Sequence, residues 1–235
     1  MKMQINIWSD VRCPFCYIGK KKFETALEKF PQKDKVEVVW HSFQLDPDLK
    51  TQPDSSTLEY FVKTKGVSEE QTKQMLGHAT QMAKEVGLEF NIEESILANS
   101  LNAHRLIQFA KTKGLGNEIE EVLFKAHFTE KKNIDDLETL VNIGVSIGLD
   151  EKETKEMLAS DDFAYEVKQD EMQAKNIGVT GVPFFVFNNK YAVSGAQTPE
   201  AFLETLEKSW EEYEKENPSL IVTKGDSCDV DGNCN

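Results

Sequence analysis

The chain has 235 residues and a formal net charge of −14 at pH 7. A surface of that sign repels phosphate backbones and anionic bilayers, which argues against nucleic-acid and membrane partners. With 39% hydrophobic and 29% charged residues, the composition is that of a globular protein long enough to fold without a metal or a structural disulfide.

Residues 3–8, Met-Gln-Ile-Asn-Ile-Trp, alternate apolar and polar and predict a strand. Cys13-Pro-Phe-Cys16 then opens a helix to about Phe30, with Phe23, Ala26, Leu27 and Phe30 at helical spacing. Pro14 suits the first helical turn, and Pro31 stops the helix. Val36 to Phe43 is a second strand. From Thr57 to Lys175 the pattern is almost entirely helical, punctuated by Gly66, Gly87, Gly114 and Gly148. Phe184–Phe187 and Lys190–Val193 flank Asn188-Asn189 and predict a hairpin. Thr198 caps a last helix that starts at Pro199 and runs to about Lys215, with Pro218 beyond it. The order is β-α-β, a helical block, then β-β-α. It predicts an α/β fold: a two-layer sandwich from residues 1–56 and 176–217, a helical insertion at 57–175, and a mobile tail at 218–235.

No apolar run reaches the length of a membrane span, and the first ten residues lack a leader's apolar region. The expected compartment is the cytoplasm, where a cysteine pair is more often catalytic, redox-sensing or metal-binding than structural. Thiol–disulfide exchange needs an attacking thiolate and a second thiol to resolve the mixed disulfide. Cys13 at a helix start meets unpaired N–H groups and the positive end of the helix dipole, which favour a sulfur anion. Cys13 is the expected nucleophile and Cys16, one turn on, the resolver. A C-x-x-C also suits zinc, but zinc wants two further ligands at close spacing, and Cys228 and Cys234 lie at the far end of the chain. No metal and no tightly bound cofactor are expected.

Four segments in this order carry a family resemblance: Ser9-Asp-Val-Arg-Cys-Pro-Phe-Cys-Tyr-Ile-Gly19, Asn99-Ser-Leu-Asn-Ala-His-Arg-Leu-Ile107, Gly178-Val-Thr-Gly-Val-Pro-Phe-Phe185 and Val193-Ser-Gly-Ala-Gln197. The chain resembles the DsbA family of thioredoxin-fold proteins, and within it a cytoplasmic FrnE-like branch. The resemblance implies a thioredoxin-like fold with the helical insertion as a cap. It implies a cis Pro183 against the Cys13 sulfur, and a groove in which Pro14, Phe15, Val182 and Pro183 meet the substrate. It also implies exchange with protein or small-molecule thiols and disulfides, and a recycling reductant or oxidant. Where periplasmic members carry Pro-His between the cysteines, this chain has Pro14-Phe15, which predicts a weaker oxidant.

The same resemblance admits a glutathione-dependent isomerase or transferase of the kappa or 2-hydroxychromene-2-carboxylate type. In that case the Val182 backbone and Asn99 would contact glutathione, which could also serve as a co-substrate. A redox-sensing, peptide-binding chaperone is a third reading. No acid is evident beneath Cys16, because Ile5 and Ile7 occupy the first strand; Asp10 and His41 are candidate proton acceptors. His104 could face the groove but reads more simply as a satisfied interface histidine, and His78 and His127 receive no role. Cys228 and Cys234 are either a shuttle for the first pair or an inert tail.

Overall fold

The computed structural model describes residues 2–218. The predicted β-α-β start is present: β1 spans Met3–Ser9, α1 Pro14–Lys29 and β2 Val36–Ser42. A short β3 (Gln52–Ser56) leads into α2 (Thr57–Lys63) and α3 (Glu69–Glu85). After β4 (Ile96–Leu97) come α4 (Leu101–Thr112), α5 (Gly116–Phe128), α6 (Leu137–Ser146), α7 (Glu151–Ala159) and α8 (Ala164–Asn176). The chain returns through β5 (Phe184–Phe187), β6 (Tyr191–Ser194) and α9 (Pro199–Glu216). Among the described residues, no helix is long and apolar enough to cross a membrane.

The main sheet has the order β2-β1-β5-β6, with β1 parallel to β2 and antiparallel to β5. The predicted hairpin closes through Asn188, Asn189 and Lys190, with both asparagines left-handed (φ 48° and 53°) and Phe187 paired with Tyr191. On one face of the sheet, Met3, Ile5, Ile7, Phe185 and Phe187 pack against Phe23 and Phe30 of α1 and Phe202, Leu206 and Trp210 of α9. Phe23 meets Phe185, Phe187 and Phe202 with ring centroids 5.6–6.2 Å apart, in tilted and edge contacts that suit aromatic quadrupoles.

The insertion supplies a further layer: Trp8, Phe184 and Val186 project from the sheet's other face onto Ala174 of α8 and onto Val179. β5 is apolar on both faces and Trp8 extends the second apolar face onto β1, so the end of the insertion folds back to cover it. The insertion's one short strand, β4, pairs antiparallel with β3, which ends at Ser56 just before the insertion.

The helical insertion has its own core, in which Leu76, Leu106, Ile119, Leu123, Phe124, Leu140 and Leu158 are buried. That core also takes in Val11, Cys13, Cys16, Tyr17 and Ile18. Helix α1 therefore straddles two cores: its first turn belongs to the insertion and its later turns to the sheet. Tyr17 stacks on Phe124 (4.9 Å, 7°), and its hydroxyl donates to Glu121 at 2.7 Å. Beside it the buried Lys20 ammonium pairs with Glu24 and Glu121. Glu121 is held down at about 2; burial opposes this, but Lys20 and Lys21 outweigh it. Its stabilisation is therefore present above the ordinary carboxylate range and lost as pH falls toward 2. Replacing Glu121 with glutamine should cost on the order of 2–3 kcal/mol near neutral pH, since a buried ammonium loses one partner. Urea melts of the variant and the parent should converge near pH 2.

Candidate active site

Strand β1 ends at Ser9, and three residues later the chain enters α1 at Cys13. Cys13 is extended (φ −91°, ψ 112°) and Pro14 occupies the first helical turn. The Cys13 N–H donates to the Asp10 carbonyl at 2.9 Å and the Cys16 N–H to the Cys13 carbonyl at 3.0 Å. No side chain caps the helix and no acid sits in its first turn, so nothing neutralises its positive end before it reaches Cys13. Both cysteines are free thiols; Cys13 is 4% exposed and Cys16 1%. The Cys13 thiol donates to the Val182 carbonyl at 3.5 Å, and the Val182–Pro183 bond that follows is cis. Burial pushes the Cys16 thiol well up, and the neighbouring Cys13 sulfur adds to it; the Asp10 N–H and the Ser9 hydroxyl pull the other way.

Gly19 brings α1 against this loop. A Cβ at that position would stand 3.0 Å from Cγ of Pro183 and 3.6 Å from the Ala196 backbone. Valine at Gly19 should cost about 1–3 kcal/mol through overpacking and slow alkylation or exchange at Cys13, because the Val182–Pro183 loop must move. Thermal melting with timed thiol labelling checks both effects.

A buried acid lies close to the pair: Asp10, one of the two candidate proton acceptors, whose backbone carbonyl accepts the Cys13 N–H. Asp10 follows the last residue of β1, not the positions of Ile5 and Ile7, and is completely buried. Its carboxylate accepts from the Leu45 N–H at 2.8 Å and the Arg12 N–H at 3.1 Å. Nε2 of the fully buried His104 stands 3.4 Å from Oδ1, an ion-pair contact rather than a well-aligned hydrogen bond, and Nδ1 has no partner. Burial favours neutral Asp10, but His104 and the two amides hold it below the usual carboxylate range. Burial likewise lowers His104, and Asp10, Glu120 and Glu171 together raise it above the ordinary imidazole value. His104 is thus not a satisfied interface histidine: neither ring nitrogen is hydrogen-bonded, and its polar neighbour is Asp10.

Buried Glu120 of α5 lies near this pair. Burial pushes its carboxyl up to about 7, helped by Asp10 and opposed by His104, Lys20 and Lys111. A raised carboxyl contributes stability that is present below its unfolded value and lost as pH rises through 7. Against an ordinary value of 4.5, that loss is on the order of 3 kcal/mol. Glu120→Gln should remove most of it, so urea midpoints at pH 5 and pH 8 should differ less in the variant than in the parent.

A family model described as DSBA-like thioredoxin domain matches residues 4–207. The chain belongs to this DSBA-like family. Thiol–disulfide oxidoreduction is accordingly its general class. A probable DsbA oxidoreductase from Streptomyces coelicolor is 36% identical, with a TM-score of 0.84 over 99% of this chain and 98% of that one. The uncharacterized protein YwbO of Bacillus subtilis (strain 168) is 30% identical over 86% of this chain and 94% of its own. Two more distant structures share the fold. One is a 2-hydroxychromene-2-carboxylate isomerase (16%, TM-score 0.64, 92% and 98% covered). The other is the cytosolic disulfide reductase DsbM of Pseudomonas aeruginosa with GSH (15%, 0.61, 91% and 98%).

Within this DSBA-like domain, the structure gathers Cys13, Pro14, Phe15, Cys16, Val182, Pro183, Asp10 and His104 around the start of α1. It does not bring His41 there. His41 bonds Asp170 at 2.7 Å and Asn6 at 2.9 Å and stacks on Trp8, all on the α8 face of the sheet. Strand alternation aims it away from α1, and Asp170, which also accepts from the Ser42 N–H, makes it a clamp between insertion and sheet. Asn99 is also committed: its amide donates to the Pro47 and Leu49 carbonyls, and its Oδ1 accepts from Leu101 N–H. It ties the β2–β3 loop to α4 and has little left to offer glutathione. Cys228 and Cys234 lie outside the described residues. Ser9, Gly19 and Glu120 were missed, and His127, which the sequence left without a role, lines the cavity beside Cys13. Ser9 and Gly19 flank the C-x-x-C, whereas Glu120 is visible only as an acid at the buried phase of Ile119, Leu123 and Phe124. Nothing in the sequence marked His127. Among the described residues, no group of three or more His, Cys, Asp or Glu side chains is placed to hold a metal ion.

Proposed function

We propose that the protein is a cytoplasmic, FrnE-like dithiol oxidoreductase in which Cys13 attacks a sulfur and Cys16 resolves the mixed disulfide. One observation carries this reading: Cys13 begins an uncapped helix with its sulfur 3.5 Å from the Val182 carbonyl and Cys16 one turn behind. The Cys13 thiolate attacks the substrate disulfide, and the released thiolate takes up a proton. Cys16 then loses its proton and attacks Cys13, which frees the second half of the substrate and closes Cys13–Cys16. The reverse sequence oxidises a dithiol. In this reading the Val182 backbone meets an extended or small substrate beside the sulfur, which its 3.5 Å contact with Cys13 supports. After substrate reduction, two equivalents of an external thiol, glutathione among them, reduce Cys13–Cys16 again; after substrate oxidation, an external disulfide re-forms it.

The test is the redox equilibrium of Cys13–Cys16 in glutathione buffers, quenched by alkylation and read by mass. A reversible two-electron couple is the expected result, and its midpoint fixes the favoured direction. A pair that stays fully alkylatable at every ratio would overturn the assignment.

A further inference from the structure

Beside Cys13 lies a cavity of about 320 Å³ between α1 and the helical insertion. That is the lower end of the range for small-molecule sites, far short of a channel for a folded partner. Its walls are apolar, with Phe15, Leu76, Ala79, Ile96 and Phe128 among them, and the exposed Leu45 and Met75 form its lip. Its few polar groups are informative. Arg12, next to Cys13, faces the cavity without a carboxylate partner among the described residues, although the chain carries a net charge of −14. Lys65 stands above the Tyr60 ring at the rim. The lining's one carboxylate, Asp46, already accepts from the Tyr60 hydroxyl at 2.9 Å. His127 lines the same space, is 3% exposed, and has a buried Nδ1 with no partner. An unpartnered cation and an orphaned imidazole nitrogen in a mostly apolar cavity are met by a ligand with an acid group and one further polar atom. Glutathione or a peptide main chain carries many more polar groups than these walls could satisfy.

We infer that this cavity binds small organic thiols and disulfides that join an apolar, ring-sized body to a carboxylate. The inference rests on the dithiol chemistry proposed above and names its substrate class. The body would lie against Phe15 and Leu76, the carboxylate would face Arg12 and Lys65, and the sulfur would lie at Cys13. For such a disulfide RSSR′, the Cys13 thiolate breaks the S–S bond and R′S⁻ leaves with the electron pair. Cys16 then displaces RS⁻ from Cys13, so two electrons have passed to the substrate; a dithiol restores the enzyme.

The test compares the reduced protein's reaction with the disulfide of mercaptobenzoate, which is anionic, and the disulfide of mercaptopyridine, which is neutral, by stopped-flow absorbance. Removing both cations, Arg12→Gln with Lys65→Gln, should slow the anionic disulfide about ten-fold relative to the neutral one. Filling the cavity with Ala79→Leu should slow both. Equal slowing of the two disulfides in the charge variant, or parent-like rates in Ala79→Leu, would overturn the inference, with circular dichroism confirming each fold. Binding of mercaptobenzoate's sulfur-free parent, benzoate, to Cys13→Ala, followed by nuclear magnetic resonance, reads the cavity without any exchange. Saturable binding there that Ala79→Leu abolishes would uphold the cavity even if the dithiol reading failed. Dithiol exchange with no such binding would leave that reading standing and remove this one.

Discussion

Cys13→Ala should abolish disulfide turnover, by at least about a thousand-fold, while Cys16→Ala should keep the first attack and stop after it. The two variants are not equivalent, because the cysteines sit in different surroundings. Cys13 is at the helix start with its sulfur toward Val182, whereas Cys16 is sealed beneath it and burial disfavours its anion. In Cys16→Ala no second thiol can displace the substrate half, so a Cys13 mixed disulfide should accumulate and be visible in the intact mass with one equivalent of disulfide. If Cys16→Ala turned over like the parent, resolution would belong to an external thiol, and the reading would shift toward glutathione-dependent chemistry. Activity retained in Cys13→Ala would remove the dithiol mechanism altogether.

How far the sequence reached can be judged from particular residues. The C-x-x-C and its helix were legible because a strand, a turn and an apolar period of 3.6 lie within thirty residues of one another. The hairpin was legible because two asparagines between alternating apolar runs leave little choice of turn. The third layer was not: Trp8, Phe184 and Val186 read as strand residues, and nothing local says that α8, about 130 residues or more from β1 and β2, returns to cover them. His41 failed for a related reason. A strand places a side chain on one of two faces, and which face holds the chemistry depends on where α1 packs. Asp10 was named as a candidate while the buried acid was sought on the strand itself, one pleat too early. Glu120 and His127 lie on α5, and only the docking of the insertion onto α1 brings Glu120 close to Asp10 and His104 and His127 to the cavity beside Cys13.

Asp10→Ala should destabilise the protein by about 3–5 kcal/mol, the usual cost of leaving a buried charge without its partner. The removed carboxylate serves His104 and the Leu45 and Arg12 amides at once. Its pH signature separates this from ordinary cavity formation. Asp10 is held below its ordinary value, so its contribution is present above the usual carboxylate range and lost in stronger acid. His104 is raised, so its share is present below the ordinary imidazole value and lost as pH climbs through the raised one. The difference between parent and variant should therefore be largest in mildly acidic to neutral solution and shrink on both sides. Urea melts across pH, with His104→Gln and the double variant completing a cycle, would measure the coupling. Additive losses that do not vary with pH would mean that Asp10 and His104 merely fill space. A coupled, pH-bounded loss would place an ion pair under the redox centre. Asp10→Ala keeps the backbone carbonyl that accepts the Cys13 N–H, so a changed rate of resolution by Cys16 would report the loss of the carboxylate itself.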